Sequence, residues 1–380
     1  MPTTSSWMTA DIVDFRDTVR RFIAEEITPH QTAWNKQQHV DRAVWNKAGA
    51  IGMLLADIPE EFGGSGGTFA HQCAVLEELG LAGDSNLGVA VQIVVAHYLL
   101  NQGTEAQRAK YLPLMASGEM VTAIAMTEPS AGSDLQAIRT KAELDGDFYR
   151  LNGSKTFISN GFLADLILVV CKTDATKGAK GISMLLVETK ECKGFRVGRI
   201  LEKLGQKGQD TCELFFDDVR VPKENILGGI AGQGFFQLMT ELPYERLIIA
   251  VTGVACIERA LALTVAHCKE RQVFGKALIE MQNTRFVLAE IKTQATVARA
   301  FIDRCIVDMM EGRMDTELAS MAKYWVTDLQ CEAIDKCLQL FGGYGYMMEY
   351  PITQMYADAR IQKIYGGANE IMKEVIARGL

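Results

Sequence analysis

The chain has 380 residues, 48% apolar and 23% charged, enough for two to three domains with a sizeable core, which excludes disordered and fibrous architectures. A net charge of −8, from 39 basic and 47 acidic residues, argues against nucleic acid as the main partner, because phosphate neutralisation needs a basic face. The longest strongly apolar runs, 163–171 and 247–257, fall short of the roughly 18 residues of a membrane-spanning helix, so a soluble chain without membrane insertion is expected.

Nine cysteines form an odd set with no Cys-x-x-Cys pair and no clustering with the five histidines. Neither a disulfide framework nor a structural zinc site is readable, which points to a reducing compartment. Residues 1–14 contain no Lys or Arg and no apolar run, so neither a secretory nor a transit pattern is present and the expected address is cytoplasmic.

Thr9 reads as an N-cap for a helix carrying Ile12, Phe15, Val19, Phe22, Ile23 and Ile27 on one face, stopped by Pro29. Helices are expected at about Arg42–Leu54, Phe69–Leu81, Asn86–Asn101 and Thr104–Met115, with loops such as 63–67 (Gly-Gly-Ser-Gly-Gly) between them. From Val121 the texture changes to short β-rich runs. Lys141–Leu144, Phe148–Leu151, Leu166–Cys171, Ile182–Val187 and Glu213–Phe216 read as strands, with Asp145-Gly146 and Asn152-Gly153 as tight turns. After Gly232 long helical periods return at Arg246–Arg271, Thr284–Glu311, Thr316–Phe341 and Pro351–Gln362, the helices of a bundle. The expected architecture is α, β, α, with domains at 1–120, 121–231 and 232–380.

Single-motif searches find no Gly-x-Gly-x-x-Gly after a strand, no Walker loop, no His-Glu-x-x-His and no Gly-x-Ser-x-Gly. The scattered histidines read as surface or satisfied core residues, so metal and nucleophilic chemistry are disfavoured. What stands out are polar, glycine-rich segments at element ends: 127–134 (Thr-Glu-Pro-Ser-Ala-Gly-Ser-Asp), 157–161 (Phe-Ile-Ser-Asn-Gly), 271–275 (Arg-Gln-Val-Phe-Gly), 339–343 (Gln-Leu-Phe-Gly-Gly) and 365–371 (Tyr-Gly-Gly-Ala-Asn-Glu-Ile). Each alone reads as a turn or a helix cap. Their order is the informative feature.

In that order the segments resemble the acyl-CoA dehydrogenase family over essentially the whole chain, and within it the long-chain enzymes most. The resemblance implies an α+β fold: an N-terminal helical domain, a middle β-barrel-like domain and a C-terminal four-helix bundle, assembled as a homotetramer. It implies FAD, held at the ring by Met126, Thr127, Gly132, Ser133, Phe157 and Ser159, where a hydroxyl can bond the flavin edge and an aromatic can pack on it. Many relatives carry Trp at the position of Phe157. The dinucleotide contacts fall on Arg271, Phe274, Gln282, Gln339, Gly342 and Gly343, some supplied by a neighbouring subunit; arginine suits a pyrophosphate, and glycine lets backbone approach it. Ala368 and Glu370 depart from the Thr and Gln of medium-chain relatives, so side-chain contacts to FAD there are not carried over.

The implied reaction removes a proton beside a thioester carbonyl while a hydride leaves the next carbon for the flavin. It needs a carboxylate base and donors for the developing charge on the thioester oxygen. Medium- and short-chain relatives place the base directly after the C-terminal Tyr, where this chain has Gly366. Long-chain and isovaleryl-type relatives place it just before an Arg on the long C-terminal helix, and this chain reads Pro243-Tyr-Glu-Arg246. Glu245 is therefore the expected base, and Gly366 leaves it room and offers its N–H to the thioester oxygen alongside a ribityl hydroxyl. In isolation Glu245 would read as a first-turn helix carboxylate; Glu241, Glu349 and Glu370 are rivals placed near helix ends. Ser133 and Arg246 match positions on the pantetheine arm, Tyr365 a substrate-lining one, and Arg246 and Arg271 would offset the acidic balance where phosphate-bearing arms lie.

The reading is thus an FAD-dependent dehydrogenase turning a medium-to-long or methyl-branched acyl-CoA into the trans-2-enoyl-CoA, with an electron-transfer flavoprotein as acceptor. An oxidase, whose chains are usually longer, and a catalytically silent binding protein, which would want a basic stripe, are the alternatives.

Overall fold

The computed structural model describes residues 5–190 and 192–380. Six α-helices come first: α1 (Ala10–Phe22), α2 (Gln31–Gln37), α3 (Arg42–Ala50), α4 (Phe69–Ala82), α5 (Val89–Gln102) and α6 (Glu105–Ala116). Thr9 is the N-cap residue of α1, but its hydroxyl bonds the Asp11 carboxylate instead of a backbone amide. Pro29 does not stop the chain's helical course. A π-turn over Ile23–Ile27 relaxes α1, and Pro29 sits in the following 3₁₀ turn, which leads straight into α2, a position where its missing N–H costs little. Thr104 and Gln107 form a reciprocal capping box that fixes the start of α6.

Seven strands follow: β1 (Thr122–Ala125), β2 (Lys141–Asp145), β3 (Phe148–Ser159), β4 (Leu166–Lys172), β5 (Ile182–Glu188), β6 (Phe195–Ile200) and β7 (Thr211–Pro222). They form one curled sheet of order β1-β4-β2-β3-β7-β6, with β5 pairing on β4. Asp145-Gly146 lies at a tight hairpin, Gly146 at φ 64°, closing on Phe148. Asn152-Gly153, expected as a second turn, lies inside β3, where the register against β7 shifts: it is a β-bulge, with Gly153 at φ 150°. β6, with its mostly half-exposed residues, was not legible as an apolar run.

β4 reads as a continuous apolar run because both its faces are buried. Leu166, Leu168 and Val170 join the core shared with the helices, while Ile167, Val169 and Cys171 face the interior of the curled sheet. β5 divides the same way, Met184 and Leu186 to one core, Leu185 and Val187 to the other.

The C-terminal part is helical: α7 (Gly234–Glu270), a two-residue hairpin of β8 (Gln272–Val273) and β9 (Lys276–Ala277), then α8 (Gln282–Met310), α9 (Thr316–Phe341), α10 (Pro351–Ala359) and α11 (Asn369–Ala377). Three helices are long and two short, and α11 was not anticipated. The sequence places the start of the first long helix at Arg246; α7 begins at Gly234 and carries Pro243 within it. Proline deprives the preceding turn of one hydrogen bond, so it reads locally as a boundary, but packing against α4 and α9 carries the helix through. By length and composition α7 could span a membrane, with mean hydropathy 1.9 over its most apolar 18 residues. The expectation that no stretch reaches that length is corrected: 56% of that window is buried inside the fold, as in a central core helix.

Candidate active site

Glu245 lies in the fourth turn of α7, not its first, so a dipole-stabilised end carboxylate is not what it is. It is 8% exposed, and Tyr98 of α5 donates its phenol O–H to Glu245 Oε1 at 2.7 Å. Burial pushes the Glu245 carboxyl up to about 7; Tyr98 opposes that shift, Glu241 reinforces it and Arg246 opposes it. A buried carboxyl that is half-ionised near neutrality is matched to proton transfer.

One turn earlier on the same face, Glu241 is also buried, not solvated as its position suggested. Its two oxygens accept from Asn101 Nδ2 and Gln102 Nε2, each at 3.0 Å, so both are occupied by amides. The other rivals, Glu349 and Glu370, are exposed. Among the four carboxylates, Glu245 alone is buried with an oxygen that no side-chain donor among the described residues occupies.

Gly366 lies at φ 63°, a left-handed backbone that glycine adopts without penalty. A Cβ built there would come within 2.4 Å of Ile249 Cδ1. Ile249 is one helical turn along α7 from Glu245, so the bare backbone of Gly366 rests on the helix face that carries the carboxylate. Lys323 of α9, fully buried, holds this turn by donating to Gly367 O at 2.7 Å and Asn369 Oδ1 at 2.9 Å. Burial, with help from nearby Arg246, brings the Lys323 ammonium down to about 8. Tyr365 donates its O–H to Gln362 Oε1 at 2.8 Å and keeps 40% of its surface exposed.

Arg246, expected beside a phosphate-bearing arm, points into the interior. It is 4% exposed and donates from Nη1 to Ser320 Oγ at 3.0 Å, with Nε buried and unpartnered. Ser133, by contrast, is exposed on the loop after β1, and the Cβ of a residue at Gly132 would meet nothing within 4 Å.

That loop is braced from beneath. Lys155 of β3 donates to Met126 O and Glu128 Oε1, both at 2.9 Å, while Glu128 accepts from the amides of Arg139 and Thr140. The Thr156 amide bonds Thr127 O at 3.0 Å, which sets Met126 and Thr127, both half-buried, beside the next residue of β3. There a second register shift against β7, between Lys155 and Ile158, puts Phe157 at φ 60° and turns its ring out, 67% exposed. Phe157 is therefore no core aromatic. Ser159 Oγ lies 3.3 Å from Thr211 Oγ1 at the strand's end.

The residues expected at the dinucleotide lie elsewhere. Phe274, at φ 50°, is the 99% exposed tip of the β8–β9 hairpin, and Arg271 lies over the Tyr344 ring, 5.7 Å from its centroid, next to Gly342-Gly343. Neither of those glycines has an atom within 4 Å of a built Cβ. Gln282 opens α8 and Gln339 sits in the last turn of α9, both exposed. Among the described residues, no hydrogen bond, ion pair or aromatic contact joins this group to the Thr127–Phe157 group.

Tyr98, Lys155 and Lys323 were missed by sequence reasoning. Each sits in a run whose neighbours read as ordinary core or strand, and its partner is supplied by the fold.

Comparisons with known proteins agree with the fold. Family models of the acyl-CoA dehydrogenase N-terminal, middle and C-terminal domains match residues 9–119, 123–219 and 232–380. The mouse (Mus musculus) mitochondrial long-chain specific acyl-CoA dehydrogenase is 47% identical over 367 residues, covering 96% of this chain and 85% of that one. The crystal structure of an acyl-CoA dehydrogenase from Geobacillus kaustophilus superposes with a TM-score of 0.96 at 43% identity, covering 99% of both chains. A glutaryl-CoA dehydrogenase from Mycobacterium smegmatis, solved in complex with FADH2, superposes with a TM-score of 0.92 at 26% identity, covering 99% of this chain and 96% of that one. These matches make the chain an oxidoreductase acting on the CH–CH bond of an acyl-CoA. The chain belongs to the acyl-CoA dehydrogenase family, whose members are FAD-dependent.

The residues present fit that cofactor. An out-turned aromatic beside the Thr127 and Ser159 hydroxyls suits a flavin ring, and an exposed arginine next to two open glycines suits a pyrophosphate.

Proposed function

We propose that this protein oxidises a medium-to-long or methyl-branched acyl-CoA to the trans-2-enoyl-CoA, with Glu245 as the base. The observation that carries the reading is the pairing of a buried carboxylate, held near 7, with a side-chain-free Gly366 on the same helix face. Glu245 takes the proton from the carbon next to the thioester carbonyl. The electron pair left behind forms the new C=C bond as the hydrogen on the next carbon departs with its own pair. FAD, when bound, supplies the acceptor for that hydride, and so takes up the two electrons the substrate loses. The Gly366 N–H donates to the thioester oxygen, where charge builds in the transition state. Tyr365 lines the substrate and Ser133 meets its pantetheine arm; the buried Arg246 acts by holding α7 to Ser320 instead.

Met126, Thr127, Gly132, Ser133, Phe157 and Ser159 hold the flavin end of FAD. Arg271, Phe274, Gln282, Gln339, Gly342 and Gly343 hold the dinucleotide end, across a homotetramer interface. The support for an oligomer is the separation of the two groups within one chain, the fully exposed Phe274, and an apolar groove of about 820 Å³ between α7 and α8 lined by Leu261, Val265 and Leu288. An electron-transfer flavoprotein is the proposed acceptor. A cytoplasmic, reducing location is supported by the nine unpaired cysteines.

Anaerobic addition of acyl-CoA tests the reaction: the flavin absorbance bleaches within the turnover time. Steady-state rates with butyryl-, isovaleryl-, citronellyl- and palmitoyl-CoA and a dye acceptor test the substrate class. A best rate with butyryl-CoA overturns it, and no bleaching with any of the four overturns the reaction.

A further inference from the structure

We infer that Tyr98 is the positioning residue of the base: its phenol holds Glu245 Oε1 and leaves Oε2 as the oxygen that receives the substrate proton. The inference rests on Glu245 being the base, as proposed above.

The geometry is specific. Tyr98 is fully buried on α5, and its O–H, the one donor a phenol has, goes to Glu245 Oε1 at 2.7 Å. Among the described residues, Oε2 accepts no hydrogen bond from the protein. A carboxylate on a flexible stem inside a low-dielectric site would otherwise sample several rotamers, and one fixed oxygen removes that freedom. The contact belongs to a series, for Asn101 and Gln102, one turn along α5, hold Glu241, one turn back along α7. The two helices thus run past each other with α5 supplying every donor, so the same element that orients Glu245 keeps Glu241 clear of the reaction.

Tyr98 also sets how readily the base ionises. A donor to an ionised carboxylate favours its charged form, so the phenol counteracts the desolvation of Glu245. The groups acting on Glu245 are Tyr98 from α5 and Glu241 and Arg246 from its own helix. From α9, Lys323 lies near enough to Arg246 for that cation to lower its ammonium. On α4, Glu77 and Glu78 are taken by Arg16, Arg20 and Arg299. Next along α7, Tyr244 donates its O–H to Asp57 Oδ2 at 2.9 Å, and His97 Nε2 of α5 lies 3.0 Å from the same oxygen. Among the described residues, the phenol is therefore the one neutral side-chain donor to the carboxylate, through which it can be tuned without changing a charge.

The test is the pH profile of kcat/KM for flavin-loaded Tyr98→Phe, which removes one oxygen and keeps the ring. The acid limb is expected to move up by about one pH unit, giving about a tenfold loss at pH 6 and a smaller loss above pH 8. A limb that stays within 0.2 units of the parent's, about the resolution of such a profile, overturns the inference. 3-Fluorotyrosine placed at 98 keeps the volume and makes the phenol a stronger donor; it should move the limb down, and an upward move or none counts against the inference even where the Phe variant does not fold. Glu245→Gln is assayed in parallel. Retained activity there removes the base itself, whereas an inactive Gln variant with an unmoved Tyr98→Phe profile removes only the role given to Tyr98.

Discussion

At the scale of single residues, Glu245 and Gly366 make opposite demands that the fold satisfies at one place. The carboxyl is raised to about 7 by burial, so its ionised fraction grows as pH rises through that value, and kcat/KM of the free enzyme should climb along an acid limb near pH 7. For stability the sign is reversed. A carboxyl with a raised pKa binds its proton more tightly when folded, so it favours the native state at low pH and loses that contribution as pH rises toward 7. Gly366→Ala puts a side chain at φ 63° against Ile249 and should cost about 1–2 kcal/mol, seen as a lower Tm, together with a fall in kcat. The Glu–Gly pair was legible because the resemblance supplied both halves. Tyr98 was not: its partner is 147 residues away, and on an apolar helix a tyrosine reads as one more core aromatic.

At the scale of elements, boundaries that rest on local chemistry were readable and those that rest on packing were not. Thr316–Phe341 coincides with α9, where Asp315 caps the first turn by accepting from the Leu318 amide at 2.7 Å. Pro243 and Asn152-Gly153 carry equally strong local signals for a break, yet the fold runs a helix through one and a bulged strand through the other. The bulges in β3 matter to the site because they turn Phe157 outward, while the buried Lys155–Glu128 pair beside them pins the Thr127 loop. Removing the cation from such a pair leaves a buried carboxylate without its counter-charge, held only by the amides of Arg139 and Thr140, so Lys155→Met should destabilise by about 3 kcal/mol. It should also lower the flavin content of the purified protein; a full flavin complement at unchanged stability would show that the pair does not brace the loop.

At the scale of the whole molecule, the three parts meet around two acids, the buried Asp84 and the half-buried Asp358. Asp358 of α10 accepts from the Gln206 amide of the middle region and from Ser85 Oγ, at 2.8 Å, of the N-terminal region. Next to Ser85, Asn86 Oδ1 accepts from the Gly208 amide at 3.1 Å, and Asp84 caps the turn by accepting from the amides of Asn86 and Leu87. Burial pushes Asp84 up to about 6, and its neighbour Asp358 adds to the shift. The junction is therefore under electrostatic cost above pH 6, a cost relieved as pH falls from 6 toward 4. Asp84→Asn keeps an acceptor and removes a charge, so its Tm should exceed the parent's at pH 8, with the difference shrinking as pH falls through 6. A constant difference would mean that Asp84 does not titrate there. The acidic surface balance was visible from composition, but this junction was not, because Asp84, Gln206 and Asp358 are brought together only by the docking of three domains.

Whether Glu245 is the base is decided by rapid mixing under anaerobic conditions. Flavin-loaded parent and Glu245→Gln are each mixed with an acyl-CoA that the parent turns over, and flavin absorbance is followed. The parent should bleach fast, and the variant, which still binds FAD and acyl-CoA, at a rate lower by about 10³-fold, within the range general-base catalysis supplies. Bleaching of Glu245→Gln at the parent's rate would contradict that role for Glu245.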